Sequence, residues 1–323
     1  MSTPTTSLTD TPLRFSIVIP TFNEEEDIAE TLESLLQLDY PNYEVLVVDE
    51  SRDRTPEIVQ GYAGRGVRYV RQTRSTGRSA GRNQGILEAN GEVVVILNAD
   101  VSLPSDFLAR LAEHYRAGAD YVLVESAVSN TTALFPRYAQ ALHEYYYGPD
   151  TTVNMNWTEG FSCRRAAAIA VGLIPEGQVV PLVAGEDGWF GERLQAAGYK
   201  KVFDRSILVT HVVPQRLRPF WRQRVGRGHG VGQVWMLRHG ITRGELLRRA
   251  LIQTVIVLAT STTVLPMLRW GWRYCQHSPR RWADLLPFTF AYYLESWANL
   301  AGIWYSFLEF RRAGISGPLP IPA

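Results

Sequence analysis

The chain lacks several features that would settle its class at once. Of its 323 residues only two are cysteine, Cys163 and Cys275, and they lie far apart with no CxxC or Cys/His spacing. Neither a zinc site nor a disulfide framework is expected, and a reducing compartment suits the chain best. An excess of one charge is also missing. Lys+Arg 33 against Asp+Glu 32 gives a formal net charge of +1, which excludes a general nucleic-acid binder working through a basic field. The first eleven residues are polar and hold no apolar stretch of the kind a signal peptide needs, so residues 1–13 are expected to be a flexible N-terminus. The Gly-rich segment 77–85 is not GxGxxG, and a GxxxxGKS/T sequence occurs nowhere. Dinucleotide-binding dehydrogenases and P-loop NTPases thereby lose their main support. Internal repeats and low-complexity tracts are absent too.

What is present has an ordinary globular composition, 46% hydrophobic and 20% charged, and is long enough to bury a sizeable core. Apolar runs at 15–19, 43–48, 67–70 and 93–97 predict strands, the first stopped by Pro20, which has no N–H to offer a ladder. Between them, Ile28, Leu32, Leu35 and Leu36 give one apolar helical face, with Asn23 and Glu26 spaced as a capping box. Further helices are expected at 56–62 and 78–89, the latter closed by Asn90-Gly91. A helix at 105–116 and a strand at 121–125 follow. The pattern then loosens until a helix at 186–197 and strand-like runs over 201–213. Continuously apolar strands alternating with helices imply a mostly parallel sheet covered on both faces. Ligands of such sheets gather beyond the carboxyl ends of the strands, where Pro20, Asp49 and Asp100 fall.

Asp49 ends its strand where a carboxylate can accept from the N–H edge of a nucleotide base, or can cap the following helix. Asn98-Ala-Asp100 follows the strongest strand, so two oxygen-bearing side chains leave it together. They suit Mg²⁺ or Mn²⁺ held against a diphosphate, or alternatively a polar turn. In Glu186-Asp187, adjacent carboxylates point in different directions, so one can serve as a general base while the other anchors the loop; an acidic helix cap is the plainer reading. Gly77, Gly81 and Gly85 at fourfold spacing permit close backbone packing, while Arg78 and Arg82 share a helix face fit for a diphosphate. His211 ends a strand where it can complete a metal shell or be structural. The arginines beyond it, Arg216 to Arg227, suit a diphosphate, anionic lipid, or a solvated helix face.

Taken in order, these pieces resemble glycosyltransferase family 2. Ser16-Ile-Val-Ile-Pro-Thr-Phe-Asn-Glu24 is similar to the opening strand and loop of that family, Val47-Val-Asp49 to its base-binding carboxylate and Gly81-Arg-Asn-Gln-Gly-Ile86 to its helix start. Val95-Ile-Leu-Asn-Ala-Asp100 resembles the metal-binding DxD, Glu159-Gly-Phe-Ser-Cys-Arg-Arg165 the acceptor-side loop, and Gly185-Glu-Asp187 the ED segment. His211 with Arg222-Gln-Arg-Val-Gly-Arg-Gly228 is similar to the closing region of nonprocessive members with C-terminal membrane helices. The resemblance spans about residues 15 to 230. It implies a GT-A fold, a UDP- or GDP-linked sugar donor, a divalent metal (Mn²⁺ or Mg²⁺) and inversion at the anomeric carbon. Asp187 is then the general base. Pro20, Thr21, Asn23, Glu24, Asp49, Arg78, Arg82, Asn98 and Asp100 fall on the donor side. Asp100, with Asn98 and His211, falls on the metal, and Arg224 and Arg227 on a diphosphate clamp. Glu159, Gly160, Glu186 and Trp189 fall on the acceptor side. The chain departs from the family pattern at Asn98, where DxD has its first aspartate, and at Asp49-Glu-Ser-Arg52, where the family has Asp-Asp-Gly-Ser. The processive QxxRW pattern is absent, which favours transfer of one sugar over polymerisation.

On this reading residues 14–230 form the catalytic domain and 231–323 a helical, membrane-associated region. Apolar stretches at 250–268 and 283–310 contain Gln253, Pro266, Glu295 and Asn299, which make poor lone spans. The arginines around them favour helices lying in, or re-entering, the cytoplasmic leaflet of the cell membrane, with membrane lipid as partner and a lipid-linked or glycan acceptor. The alternatives are a soluble helical layer packed on the catalytic domain and, for function, a noncatalytic sugar-nucleotide-binding protein of the same fold.

Overall fold

The computed structural model describes residues 12–73, 77–149, 156–177 and 179–317; most of the N-terminus expected to be flexible lies outside these. The first half alternates as its apolar runs predict: β1 (Phe15–Thr21), α1 (Ile28–Leu35), β2 (Tyr43–Asp49), α2 (Thr55–Gln60), β3 (Val67–Arg71), α3 (Arg78–Glu88) and β4 (Val93–Ile96). Strands β1 to β4 pair with one another in parallel, with Ile17 opposite Val45 and Val18 opposite Ile96. Because side chains alternate across a strand, one run of valines and isoleucines feeds two cores. Ile17, Ile19, Val45, Val47, Val93 and Val95 pack with Leu32, Leu35 and Phe107. Val18, Val94 and Ile96 turn the other way, toward Ile86, Phe161 and Phe190.

The second half completes one eight-stranded sheet, with β5 (Val101–Ser102), α4 (Phe107–Arg116), β6 (Tyr121–Val128), α5 (Leu134–Tyr147), β7 (Phe161–Arg164), α6 (Arg165–Ala170), α7 (Glu186–Ala196) and β8 (Lys201–His211). The order is β3-β2-β1-β4-β7-β6-β8-β5. β7 runs antiparallel to β4 and β6, while β6 and β8 are parallel with an irregularity between Val124 and Glu125. This mostly parallel, helix-flanked sheet is the GT-A architecture.

Two local expectations fail. Asn23 does not cap a helix: its φ of 57° is left-handed, its side chain accepts from Arg52 N–H across the loop, and α1 begins only at Ile28. The stretch expected to be irregular also contains the 14-residue α5. Its apolar face, Phe135, Tyr138 and Ala141, meets Phe220, Tyr274 and Phe288 from far along the chain, so the local pattern had no visible partner.

The helices after the sheet, α8 (Leu217–Leu237), α9 (Arg243–Thr263), α10 (Leu265–Cys275) and α11 (Leu285–Arg312), are joined to it rather than appended. The domain boundary expected at 230 falls inside α8. A Cβ at Gly228 would collide with the Asn299 carbonyl, and one at Gly302 with that of Val225; glycine at both positions lets α8 and α11 cross backbone to backbone. Buried charges key the layer in place. Arg137 of α5 makes a bidentate pair with Asp284 at 2.7 and 2.9 Å, and Arg224 of α8 lies 3.3 Å from Glu295 of α11, which also accepts from Tyr138. Glu295 thus faces protein and not hydrocarbon. The apolar stretch at 250–268 is two helices. Val264 has a φ of 57° at the break, Pro266 cannot supply the next helical N–H, and the two axes meet at 86°.

Candidate active site

The carboxyl ends of β1, β2 and β4 open on one cleft, as parallel connections require. Close packing of α3 on the sheet defines one wall: a Cβ at Gly85 would strike Val18, and one at Gly81 would press Pro20 at 3.2 Å. Arg82, on this helix, is fully buried. Its guanidinium donates to Glu186 at 2.7 Å, Asn98 at 3.0 Å and Thr158 at 3.2 Å. Four separate segments therefore meet on one side chain. The expectation that Arg78 and Arg82 share a diphosphate is corrected here, because Arg82 is enclosed and committed to protein groups. Arg78, one turn earlier and exposed, is the helix's available cation, and its charge acts on Glu24 and Asp100.

Of the two acids in the loop before α7, Glu186 is the anchor, 3% exposed and paired with Arg82. Asp187 is the more accessible one and accepts from its neighbour, Gly188 N–H, at 2.8 Å. Burial, then the charge of Glu186, pushes the Asp187 carboxyl well above the usual range, while Arg82 pulls the other way. Glu24 and Asp100 are each raised to about 7, by burial first and then by neighbouring carboxylates, Asp100 for Glu24 and Glu159 for Asp100. One oxygen of Asp100, Oδ1, is buried with no hydrogen-bond partner among the described residues. His211 accepts from or donates to Ser126 through Nδ1 at 3.0 Å. Burial lowers its pKa, leaving a neutral imidazole of the kind metals prefer. Among the described residues no three acids, histidines or cysteines converge closely enough to enclose an ion alone, so any cation here needs ligands from outside the protein as well.

Asp49 is fully buried and takes four hydrogen bonds. Oδ1 is held by Thr21 Oγ1 at 2.8 Å and Ser51 N–H at 3.1 Å, Oδ2 by Tyr69 at 3.1 Å and Arg71 at 3.0 Å. It does not cap α2, where Asp53 accepts from Thr55 instead. Three further expected site residues are enclosed by protein packing. Arg224 is 1% exposed, with Glu295 beside it and the Phe220 ring 4.8 Å from its charge, so it packs within the helical layer. Trp189 is 8% exposed and packs with Leu182 and Met236. Gly160, at φ 78°, is wedged against Val124 and Val209. Arg227, one turn from Arg224, is exposed and faces the cleft: its neighbour lowers it to about 10, so it stays cationic at neutral pH, and Glu159 and Asp187 act on it from across the opening.

The family model "Glycosyl transferase family 2" matches residues 16–175. Glycosyltransferase AglE of Haloferax volcanii is 30% identical over 239 residues, 69% of this chain and 74% of that protein. The chain belongs to glycosyltransferase family 2. A second relative of this family 2 chain, from Methanococcus voltae, is 26% identical over 70% of the chain and 74% of its own length; it is named dolichyl N-acetyl-alpha-D-glucosaminyl phosphate 3-beta-D-2,3-diacetamido-2,3-dideoxy-beta-D-glucuronosyltransferase. The mannosyltransferase PcManGT of Pyrobaculum calidifontis, solved with GDP-Man and Mn²⁺, shares the fold with a TM-score of 0.54 at 20% identity, covering 94% of this chain and 77% of its own. Some members of the glycosyltransferase's cleft had no readable signal in the sequence. Thr158, Ser126 and Tyr147 come from segments without a motif; the Tyr147 hydroxyl is raised by burial, with Arg227 and Asp187 acting on it.

The raised carboxyls make stability depend on pH in a defined direction. A folded-state pKa above the unfolded value means that the native chain holds extra protons; the stabilisation is complete below the unfolded values near 4 and is lost as pH rises through about 7. Without divalent cation, the melting temperature should fall between pH 5 and 7.5, and Asp100→Asn should flatten that fall. Equal slopes for the two proteins would show that Asp100 titrates normally.

Proposed function

We propose that the chain is an inverting glycosyltransferase that moves one sugar from a UDP- or GDP-linked donor to a lipid-linked or glycan acceptor at the cytoplasmic face of the cell membrane. The carrying observation is Asp187: a carboxylate of raised pKa, partly exposed, on a loop fixed by the Arg82–Glu186 pair and under the charge of Glu159 on the facing loop. A raised pKa brings a carboxylate toward the operating pH, where general-base catalysis is most efficient. Asp187 takes the proton from the acceptor hydroxyl as its oxygen attacks the anomeric carbon from the face opposite the leaving nucleotide. Arg78 and Arg227 lie where they can meet the diphosphate's negative charge. For the base, Asp49 Oδ2 keeps its bond from Tyr69, whereas Arg71, whose side chain is 56% exposed, can swing away and leave one acceptor position on Oδ2 for a base N–H. The buried, unpartnered Asp100 Oδ1, with the neutral His211 and Glu159 nearby, fits a divalent cation. When bound, such an ion neutralises charge on the departing nucleoside diphosphate.

Asp187→Asn should lower turnover by about two orders of magnitude or more while a panel of UDP- and GDP-sugars with Mn²⁺ still raises its melting temperature as in the wild type. Wild-type turnover by the variant would remove Asp187 from the base role; no stabilisation of wild type by any donor would remove the donor class.

Membrane docking is supported by the outer surface of α9 and its elbow. Among the described residues no single helix is long and apolar enough to cross a bilayer, but α9 and α10 pass together as a bent pair. Leu251, Ile252, Val255, Ile256, Leu258, Val264 and Leu265 are 42% to 74% exposed, too large an apolar group for an ordinary water-facing helix. Thr260, Thr262 and Thr263 return their hydroxyls to carbonyls one turn back, which satisfies these three donors within the helix. Arginines at 248, 249, 269, 273, 280 and 281 surround this face and match anionic headgroups. The full chain should therefore co-sediment with phosphatidylglycerol vesicles at low salt, and Val255→Glu combined with Leu265→Glu should leave it in the supernatant. Wild-type protein remaining in the supernatant would refute docking.

A further inference from the structure

Position 98 is where the family pattern carries an acid and this chain carries an amide. The Asn98 carboxamide is engaged on both sides: Oδ1 accepts from the Arg82 guanidinium at 3.0 Å, and Nδ2 points to Glu159 Oε1 at 3.5 Å, the outer limit of a hydrogen bond. An oxygen already bonded to a guanidinium is a poor ligand, because the fixed positive charge repels a second cation on the same atom. Glu159 is in the opposite condition. It forms no ion pair among the described residues, is partly exposed, and has one oxygen with no hydrogen-bond partner among them. The turn that follows is rigid, since Gly160 is held against Val124, Val209 and Phe107. Glu159 lies against Asn98, two residues before Asp100, and its charge acts on both Asp100 and His211. Two unpaired carboxylates side by side repel each other unless a cation is shared.

We propose that Glu159, on the acceptor-side loop, supplies together with Asp100 the carboxylates that hold the divalent cation, taking the charge role that Asn98 has given up to bind Arg82. This rests on the metal-dependent reading above and refines it: a residue otherwise expected to meet the acceptor becomes part of the donor's cation site, so the loop carrying it senses both substrates. Hard divalent ions select oxygen ligands by charge count, and moving the second carboxylate from 98 to 159 conserves that count.

The test is Mn²⁺ titrated into the full chain and followed by loss of the free-ion electron paramagnetic resonance signal. Glu159→Gln keeps the shape and the contact to Asn98 but removes the charge, and should weaken Mn²⁺ binding by about tenfold or more. Asn98→Ala should weaken it less, and Asn98→Asp added to Glu159→Gln should recover most of the loss. Wild-type affinity in Glu159→Gln, or a greater loss in Asn98→Ala, would overturn the proposal. If Asp100→Asn abolishes binding while Glu159→Gln binds Mn²⁺ as the wild type does, the metal reading stands while this inference falls; if wild type itself binds no Mn²⁺, both fall.

Discussion

The arrangement of the cleft depends on one buried cation. Arg82 joins α3 to the end of β4 through Asn98, to the loop before β7 through Thr158, and to the loop before α7 through Glu186. The buried guanidinium and the buried carboxylate opposite hold each other in place; removing one partner of such a pair typically costs about 3–5 kcal/mol. The consequence is a division of labour between adjacent acids. Glu186 is spent on Arg82, and Asp187 is left at the opening with its carboxyl raised by burial and by Glu186 beside it.

The same division recurs in the helical layer. Arg224 and Arg227 lie three residues apart on α8, yet Arg224 is enclosed beside Glu295 and Phe220 while Arg227 faces the cleft. Because α11 crosses α8 at the glycines 228 and 302, the C-terminal helices fix the rotation of α8 and hence the direction of Arg227. The layer proposed to touch lipid is thus also a wall of the proposed catalytic cleft.

Much of this was legible in the sequence, for physical reasons that also mark the limit. Short apolar runs ending at Pro20, Asp49 and Asn98 define parallel strands because each is buried on both faces, and the glycines of α3 announce a close approach that the packing on Val18 and Pro20 bears out. The helix α5 was not legible, since its apolar face is covered by residues far along the chain, Phe220, Tyr274 and Phe288. Nor does spacing tell a structural arginine from an available one. Arg78 and Arg82, like Arg224 and Arg227, look alike along a helix, and only the tertiary surroundings assign one of each pair to the interior. Trp189 and Gly160 follow the same rule: a motif position identifies the loop, but the packing decides which side chain faces the cleft.

The proposed role of Asp187 as the base, on the loop that the Arg82–Glu186 pair holds, calls for one displacement, without a covalent sugar on the protein. The stereochemistry of the product tests this most directly. With an α-linked UDP- or GDP-sugar and the acceptor it uses, proton NMR recorded early in the reaction should show the new linkage as the β-anomer; a product that keeps the α configuration would contradict the account.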